Sequence, residues 1–235
     1  MNQTELQHLD GIAQDSWYAL GVNRKTILHS FTIFERYIRG PRLLEMGPAE
    51  GVMTEHLARL GMDLTLVEGS AVFCEQLQSR FPSATVVPSL FEEFSPEQRF
   101  DTLVLGHVLE HVLDPVAILR QARSWLAPGG RVLAAVPNSR SLHRQAAVIM
   151  GLLGFEEEMN DADRHHGHRR VYNPETFRRD FLRAGLRIEV FGGYWIKPLS
   201  NRQLEESWSE EAIEAFMKLG ERYPDIAAEL YVVAS

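Results

Sequence analysis

The chain has 235 residues, of which 45% are hydrophobic, so it is long enough for one substantial domain and too short for two ordinary ones. Its formal net charge of -8 at pH 7 argues against nucleic acid or an anionic membrane as a partner held by bulk electrostatics. A single cysteine, no signal peptide before residue 40 and no apolar run of about 18 residues predict a soluble, cytoplasmic protein without an internal disulfide.

Residues 1–39 precede the first predicted strand and have the pattern of an amphipathic helical cap. Apolar side chains recur there at helical spacing, at Ile27, Phe31, Phe34 and Ile38, after a separate apolar patch that contains Trp17 and Tyr18. We therefore expect this segment to pack through one face against the rest of the chain.

Residues 42–51, Arg-Leu-Leu-Glu-Met-Gly-Pro-Ala-Glu-Gly, predict a strand, a tight turn and a helix. Leu43 and Leu44 indicate a buried strand. Gly47 allows the backbone to approach a ligand closely, and Gly51 opens an amphipathic helix. Such a turn is typical of nucleotide binding, but its two glycines do not have the G-x-G-x-x-G spacing of dinucleotide-binding folds.

The charges near this turn indicate which nucleotide it binds. Glu45 lies two residues before Gly47, where its carboxylate would repel a pyrophosphate and attract a cation. S-adenosylmethionine (SAM) carries a sulfonium and an ammonium group and no phosphate. The second predicted strand, residues 63–67, is followed by Glu68, whose carboxylate can accept hydrogen bonds from both ribose hydroxyls. These residues favour SAM as the cofactor.

Helices and strands alternate in the next part of the chain, as expected for a parallel sheet of an α/β protein. Residues 70–81 predict a helix that Pro82 ends, and residues 84–87 predict a third strand. Residues 101–106 are almost wholly apolar, which is typical of a strand buried on both faces of a parallel sheet.

Polar side chains follow two strands at the carboxyl edge of the predicted sheet, where open α/β sheets bind ligands. His107, Glu110 and His111 come after the fourth strand. Asn138 comes after the fifth strand, at residues 131–136. The two histidines are candidates for catalysis, and Asn138 is a candidate for orienting an acceptor.

The chain then leaves the predicted core, with a helix at residues 139–151 and a polar insert at residues 155–172. The insert contains His165, His166 and His168. No cysteine or carboxylate set accompanies these histidines at ligand spacing, so the sequence predicts no metal site.

Two other interpretations of the insert remain open, a solvated basic loop and a lid over the site. We favour the lid, in which His168, Arg169 and Tyr172 turn inward to hold a polar or carboxylate-bearing group. An arginine suits that role because its planar guanidinium matches a carboxylate.

The last part of the chain returns to the sheet. Asn173-Pro174 predicts the start of a helix, and residues 186–191 predict a sixth strand. An excursion of 37 residues, with a helix near residues 209–220, separates it from a last strand at residues 229–234. We expect the excursion to pack on the N-terminal cap and to help enclose a pocket.

Three features together resemble the class I SAM-dependent methyltransferases, above all the small-molecule branch often called methyltransferase type 11 or 23. They are Glu-x-Gly-x-x-x-Gly at residues 45–51, the acidic end of the second strand, and Phe-Asp-Thr-Leu-Val-Leu-Gly-His-Val-Leu-Glu-His at residues 100–111 before Asp114-Pro115. The likeness covers residues 40–138 well and the rest loosely. It implies an α/β fold with a seven-stranded, mostly parallel sheet and helices on both faces.

The resemblance also implies one SAM-binding domain, residues 1–235, with additions to a common core. Its predicted parts are a helical cap at residues 1–39, the cofactor-binding core at residues 40–138, a lid insert at residues 139–172, and the C-terminal part of the sheet with its helical excursion at residues 173–235. The three additions would cover one end of the sheet, which indicates a small acceptor. The oligomeric state is not indicated by any of these features.

Roles for individual residues follow from the same resemblance. Glu45 and Gly47 would hold the methionine part of SAM, Glu68 the ribose, Ser89, Leu90 and Phe91 the adenine, and His107 would also face the cofactor. Many family members place an aspartate near the position of Ser89, and this chain departs from that pattern. The acceptor would meet Trp17, Tyr18, Asn138, Arg169 and Tyr172.

Methyl transfer is an in-line displacement at a carbon that the sulfonium already activates, so the protein mainly aligns the nucleophile and excludes water. A general base is needed only if the acceptor keeps its proton at neutral pH. The candidates for that base are His107, His111, His168 and Tyr172.

The sequence therefore predicts a SAM-dependent methyltransferase that acts on a small polar metabolite in an enclosed pocket. Two alternatives remain open at this point. In the first, SAM is the sole substrate of a lyase or cyclase, and its own amino or carboxylate group attacks Cγ and expels methylthioadenosine. In the second, the protein binds SAM as a structural or regulatory ligand without catalysis.

Overall fold

The computed structural model describes Gly11 and residues 19–235. Within these residues one sheet contains seven strands, β1 (Arg42–Met46), β2 (Asp63–Glu68), β3 (Thr85–Pro88), β4 (Phe100–Gly106), β5 (Leu126–Pro137), β6 (Ile188–Tyr194) and β7 (Glu229–Ala234). Their order across the sheet is β3-β2-β1-β4-β5-β7-β6. β7 runs antiparallel to both of its neighbours, and the other pairs are parallel. The predicted seven-stranded, mostly parallel sheet is confirmed.

Helices cover both faces of this sheet. They are α1 (Gly21–Phe34), α2 (Thr54–Leu57), α3 (Ala71–Arg80), α4 (Pro115–Trp125), α5 (Leu142–Ile149), α6 (Asp161–His165), α7 (Pro174–Arg183), α8 (Asn201–Ser207) and α9 (Glu210–Leu219). Short 3-10 helical turns occur at Ala58–Leu60, Gly220–Arg222 and Pro224–Ile226. None of the helices in the described part of the chain is both long and apolar enough to cross a bilayer.

Two apolar cores lie on opposite faces of the sheet because successive side chains of a strand point to opposite sides. In β4, Leu103 and Leu105 belong to one core and Val104 to the other. The first core is covered by α4 and α7, and the second by α1, α3 and α9. The central strands are therefore buried on both faces, as their apolar sequence predicts.

Side-chain caps set the starts of three helices. The hydroxyl of Ser70 caps α3, and the carboxylate of Asp114 accepts a hydrogen bond from the Ala117 amide at 3.0 Å at the start of α4. Asn173 and Thr176 cap α7 reciprocally, with Pro174 in the first turn. These polar residues satisfy amide groups that a helix start leaves without partners, so the sequence indicates the helix starts reliably.

Several element bounds differ from the prediction. α2 begins three residues after Gly51 and passes into a 3-10 turn. β5 begins at Leu126 rather than residue 131, because Phe100 of β4 already pairs with Leu126. β6 extends through Gly192 and Gly193 to residue 194, where pairing with β7 overrides the low strand preference of glycine. The predicted loop of the insert contains the short helix α6.

The antiparallel direction of β7 matters for the site. The carboxyl ends of the parallel strands share one edge of the sheet, and β7 begins at that edge. Its first residue, Glu229, is paired with Pro137 at the end of β5 and with Tyr194 at the end of β6. An acidic side chain is thereby brought to the ligand-binding edge from the last strand of the chain.

Candidate active site

A cleft of about 360 Å³ lies at the carboxyl edge of the sheet. It is formed by the turn after β1, the ends of β2 and β4, and the loop after β3. The predicted cofactor residues and His111 all lie on its walls, namely Glu45, Gly47, Glu68, Ser89, Leu90, Phe91 and His107 with His111. Residues that are far apart in the sequence are thus brought to one concave surface.

Gly47 is required by the close packing of the first turn. Its φ is +66°, in the left-handed region that favours glycine. A Cβ atom at this position would lie 3.1 Å from Cγ2 of Val108 and 3.3 Å from Cζ of Phe91. The glycine therefore avoids a close contact with two residues that line the cleft.

Glu68 is held rigidly at the end of β2. Its side chain is buried, and its two carboxylate oxygens accept hydrogen bonds from the amides of Ser70 at 2.9 Å and Ala49 at 3.2 Å. Burial raises the pKa of this carboxyl, while the backbone hydrogen bonds act to lower it. The carboxylate is thus oriented before any ligand binds.

Glu45 is buried beneath the same turn, at the end of β1. Its Oε2 accepts a hydrogen bond from the hydroxyl of Thr54 at 2.6 Å. Burial raises the pKa of Glu45 to about 7, against the opposing effect of the Thr54 hydrogen bond. This carboxyl therefore holds its proton more strongly than an exposed glutamate does.

The raised pKa of Glu45 predicts a pH-dependent stability difference. Because the folded-state pKa of about 7 exceeds the ordinary value of 4.5, the neutral form favours folding below pH 4.5, and this contribution is lost as pH rises through 7. Glu45→Gln removes the ionisation. The free energy of unfolding of the Glu45→Gln variant should fall less between about pH 5 and pH 8 than that of the wild type, by roughly 1 to 3 kcal/mol.

Urea denaturation at both pH values measures this difference. The matched control is Glu92→Gln, because Glu92 lies on the same cleft with an exposed side chain. Parallel pH profiles for the wild type and Glu45→Gln would show that the buried carboxyl does not destabilise the fold when it ionises.

His107 is the most unusual residue of the cleft. It follows β4 with a φ of +60°, a strained conformation for a residue other than glycine. Its Nδ1 lies 3.5 Å from Oε1 of Glu110 and 3.8 Å from Oε2 of Glu229. Its Nε2 lies 3.3 Å from the hydroxyl of Tyr194. Both ring nitrogens therefore face polar groups.

The carboxylates around His107 make its imidazole a stronger base than an exposed histidine. Burial alone would lower the pKa of His107, but contact with Glu110 and the charge of Glu229 raise it above its usual value. Burial likewise acts to raise the pKa of Glu110, and the neighbouring histidines outweigh it, so this pKa is lowered. Burial raises the pKa of Glu229 to about 7, because His107 and Lys197 offset only part of the penalty.

The insert contributes His168 to the same region. Its ring packs edge-to-face on His111, with the ring centroids 4.8 Å apart. Nδ1 of His168 lies 3.3 Å from Oδ1 of Asp163. Burial lowers the pKa of His111 to about 4, so this imidazole is neutral at pH 7. The insert is thus folded against the turn that follows β4.

Comparison with known proteins identifies the family to which this chain belongs. Residues 23–189 match a family model described as a methyltransferase domain. The chain belongs to the methyltransferase domain family. It is 28% identical over 225 residues to the ubiquinone biosynthesis O-methyltransferase of Xanthomonas euvesicatoria pv. vesicatoria, with 89% of this chain and 91% of that protein covered. The Aeromonas salmonicida protein of the same name is 27% identical over 173 residues, 69% of this chain and 70% of that protein.

Solved structures show the same fold at low sequence identity. A SAM-dependent methyltransferase of Thermotoga maritima, described as a possible histamine N-methyltransferase, has a TM-score of 0.64 at 17% identity, with 93% of this chain and 92% of that chain covered. The N-methyltransferase NodS of Bradyrhizobium japonicum, solved with S-adenosyl-L-homocysteine, has a TM-score of 0.63 at 15% identity, with 97% and 96% covered.

The protein is therefore a SAM-dependent methyltransferase that acts on a small molecule. The predicted fold, cofactor and reaction class are confirmed. The two alternatives, SAM cleavage and binding without catalysis, receive no support from these relatives.

Two residues predicted to meet the acceptor have structural roles in this methyltransferase. Tyr172 is only 2% exposed, and its hydroxyl donates a hydrogen bond to Asp180 at 3.2 Å. Burial and the Asp180 charge raise the pKa of Tyr172 far above its usual value. The Asn138 amide donates hydrogen bonds to the carbonyls of Asp225 at 3.1 Å and Ala227 at 2.8 Å. Neither side chain lines the cleft, since both tie neighbouring segments to the sheet edge.

Arg169 also differs from its predicted role as a carboxylate clamp. Its amide donates to the carbonyl of Glu110 at 2.8 Å, and its Nε donates to the carbonyl of His111 at 2.7 Å. The next residue, Arg170, donates to three further carbonyls of the same turn. The insert therefore supports the turn after β4 instead of turning these arginines into the cleft. Trp17 and Tyr18 lie outside the described residues.

Three site residues were not assigned from the sequence. Thr54 holds Glu45, Tyr194 meets His107, and Glu229 approaches His107 from β7. An acidic residue at the start of an otherwise apolar strand is a pattern that could have marked Glu229 as a site residue. Its position beside His107 depends on the antiparallel direction of β7, which the local pattern does not specify.

Proposed function

We propose that this methyltransferase transfers the methyl group of SAM to a hydroxyl oxygen of a small molecule, and that His107 receives the hydroxyl proton. The arrangement of His107 carries the proposal. Its ring borders the cleft, Nδ1 faces the carboxylates of Glu110 and Glu229, and Nε2 meets a hydroxyl, that of Tyr194, at 3.3 Å. The curated relatives are named O-methyltransferases, which supports the same attacked atom.

The chemistry requires a proton acceptor at this position. A neutral hydroxyl is a weak nucleophile, and its proton must leave as the oxygen attacks the methyl carbon. The O–C bond forms as the S–C bond breaks, which gives a methyl ether and S-adenosylhomocysteine, and the hydroxyl proton passes to Nε2 of His107. A carboxylate on the Nδ1 side orients such an imidazole and stabilises its protonated form. Glu110 is placed to do this, and the acceptor hydroxyl would compete with Tyr194 for Nε2.

The cofactor would occupy the rest of the cleft, with each of its three parts against different lining residues. Glu45 and Gly47 would hold the methionine part, and the oriented carboxylate of Glu68 would hold the ribose. Leu90 and Phe91 supply apolar contact for the adenine ring. The hydroxyl of Ser89 donates to the Leu90 carbonyl at 2.9 Å, so its oxygen remains an acceptor for the adenine amine.

Matched acceptors test the attacked atom. The purified protein is incubated with methyl-labelled SAM and with pairs of small aromatic compounds that differ only in a hydroxyl or an amino group. We expect label in the methyl ether of the hydroxyl compound, with S-adenosylhomocysteine formed in equal amount. Methylation confined to the amino compounds would contradict O-methyl transfer. Mass spectrometry separates both products and also detects any methylthioadenosine.

A further inference from the structure

The segment that follows β6 brings a lysine to the ligand-binding edge of the sheet. β6 runs parallel to β5, because both are antiparallel to β7, so its carboxyl end lies at that edge. Its last residue, Tyr194, contacts His107 there. The strand ends where Trp195 adopts a φ of +70°, a strained conformation for a residue other than glycine. The carbonyl of Lys197 then accepts a hydrogen bond from the His143 amide at 3.1 Å, which holds the segment against the start of α5.

Several polar groups of this segment have no partner among the described residues. The ammonium group of the partly buried Lys197 lies over the ring of Trp195, with Nζ 4.8 Å from the ring centroid, and forms no hydrogen bond or ion pair with any residue that the structure describes. Nε1 of Trp195 and Nδ1 of His143 are buried without a hydrogen-bond partner in the same part of the chain. Buried polar atoms are normally paired, so this set indicates a place that a polar group of a ligand completes.

The charge of Lys197 is available for such a ligand. Burial lowers the pKa of Lys197 to about 8, against the opposing charge of Glu229, so the ammonium form still predominates at pH 7. Glu229 faces His107 at 3.8 Å, and Asp163 forms an ion pair with Arg144 at 3.0 Å. The two carboxylates that act most strongly on the pKa of Lys197 are therefore engaged elsewhere.

We propose that Lys197, beside Trp195 and His143, binds a carboxylate of the acceptor. A carboxylate carries a single negative charge and two oxygens that accept hydrogen bonds, which suits one ammonium group with neutral polar neighbours. A phosphate dianion suits this position less well, because the nearby carboxylates of Glu229 and Asp163 would repel its second charge.

The inference names the class of acceptor and rests on the proposed O-methyl transfer. Tyr194, whose hydroxyl lies at Nε2 of His107, precedes Lys197 by three residues, so their Cα atoms are at most about 11 Å apart. One small molecule can therefore present a hydroxyl group to His107 and a carboxylate to Lys197. The acceptor is then a small hydroxy acid, and the bound carboxylate holds its hydroxyl oxygen in position for the transfer. The carboxylate-bearing group that the sequence predicts at Arg169 would bind at Lys197 instead.

Matched acids and amides test the subsite. 2-, 3- and 4-Hydroxybenzoate and the three corresponding hydroxybenzamides are titrated into full-length protein loaded with S-adenosylhomocysteine, and each is also assayed as an acceptor with SAM. We expect the wild type to bind at least one acid more tightly than its amide. Lys197→Met should weaken the binding of that acid by about 10- to 150-fold, the effect of a hydrogen bond to a charged group, and leave the amide unchanged.

Lys218→Met is the matched control, because Lys218 is exposed on α9, and it should bind the acids like the wild type. Two results would overturn the subsite. One is the lack of saturable binding of all three acids to the wild type, and the other is the same preference for acid over amide in the wild type and Lys197→Met. Thermal unfolding and SAM affinity are measured for each variant, and Lys197→Gln provides the same comparison if Lys197→Met does not fold.

The subsite and the proposed function fail in different ways. Methylation of the hydroxybenzamides as efficiently as the acids, with Lys197→Met as active as the wild type, would overturn the subsite and leave O-methyl transfer in place. Binding of the acids that depends on Lys197, without methylation of any hydroxyl compound, would support the subsite and contradict the proposed function.

Discussion

His107→Asn should lower the turnover of a hydroxyl acceptor by roughly 100- to 10,000-fold, the usual contribution of a general base. Asparagine suits this test because it tolerates the left-handed backbone conformation that His107 adopts at a φ of +60°. The substitution removes the imidazole that faces Glu110 and Glu229 and should leave the turn after β4 in place. Steady-state kinetics with saturating SAM measure the effect on turnover.

SAM affinity separates this role from a structural one. Because the proposed contribution of His107 is to the chemical step, the dissociation constant for SAM should change less than about tenfold in the variant. His165→Asn is the control, since His165 lies in the insert away from the cleft walls. If His107→Asn kept wild-type turnover, His107 would not be the proton acceptor.

Glu68→Ala should weaken SAM binding by roughly 1.5 to 3 kcal/mol, the range for hydrogen bonds to a charged group. This corresponds to a loss of affinity of about 10- to 150-fold. The expected effect is large because the carboxylate is buried and already oriented by the amides of Ser70 and Ala49. The ribose hydroxyls would therefore donate hydrogen bonds to a carboxylate that needs no rearrangement.

Two further variants isolate the ribose contact. Glu68→Gln keeps one oxygen acceptor, so its loss of affinity should lie between those of the wild type and Glu68→Ala. Glu92→Ala removes an exposed carboxylate from the same cleft and should bind SAM like the wild type. Calorimetry measures all four proteins, and an unchanged affinity in Glu68→Ala would exclude the ribose assignment.

The cofactor half of the site could be predicted because its signals are local. Glu45, Gly47 and Glu68 each lie at or just after the end of a short apolar strand, and the strand ends of a parallel sheet share one edge. Their positions at these strand ends therefore predict that the three residues lie close together. Ser70 and Asp114 are local signals of the same kind, because they cap the helices that follow β2 and β4.

The acceptor half could not be predicted to the same extent, because its contacts join distant segments. Tyr172 and Asn138 have polar groups near the sheet edge, but tertiary packing directs those groups to Asp180 and to backbone carbonyls. Similarly, His168 and His111 are 57 residues apart in the sequence, and no pattern in either segment specifies that their rings meet.

A crystal structure with S-adenosylhomocysteine tests most directly whether the cleft holds the cofactor with its reactive centre beside His107. We expect the ribose hydroxyls within hydrogen-bond distance of Glu68, the adenine between Leu90 and Phe91, and the sulfur directed toward the side of the cleft that His107 and His111 form. A bound cofactor with its ribose away from Glu68, or with its sulfur directed away from His107, would contradict this account of the site.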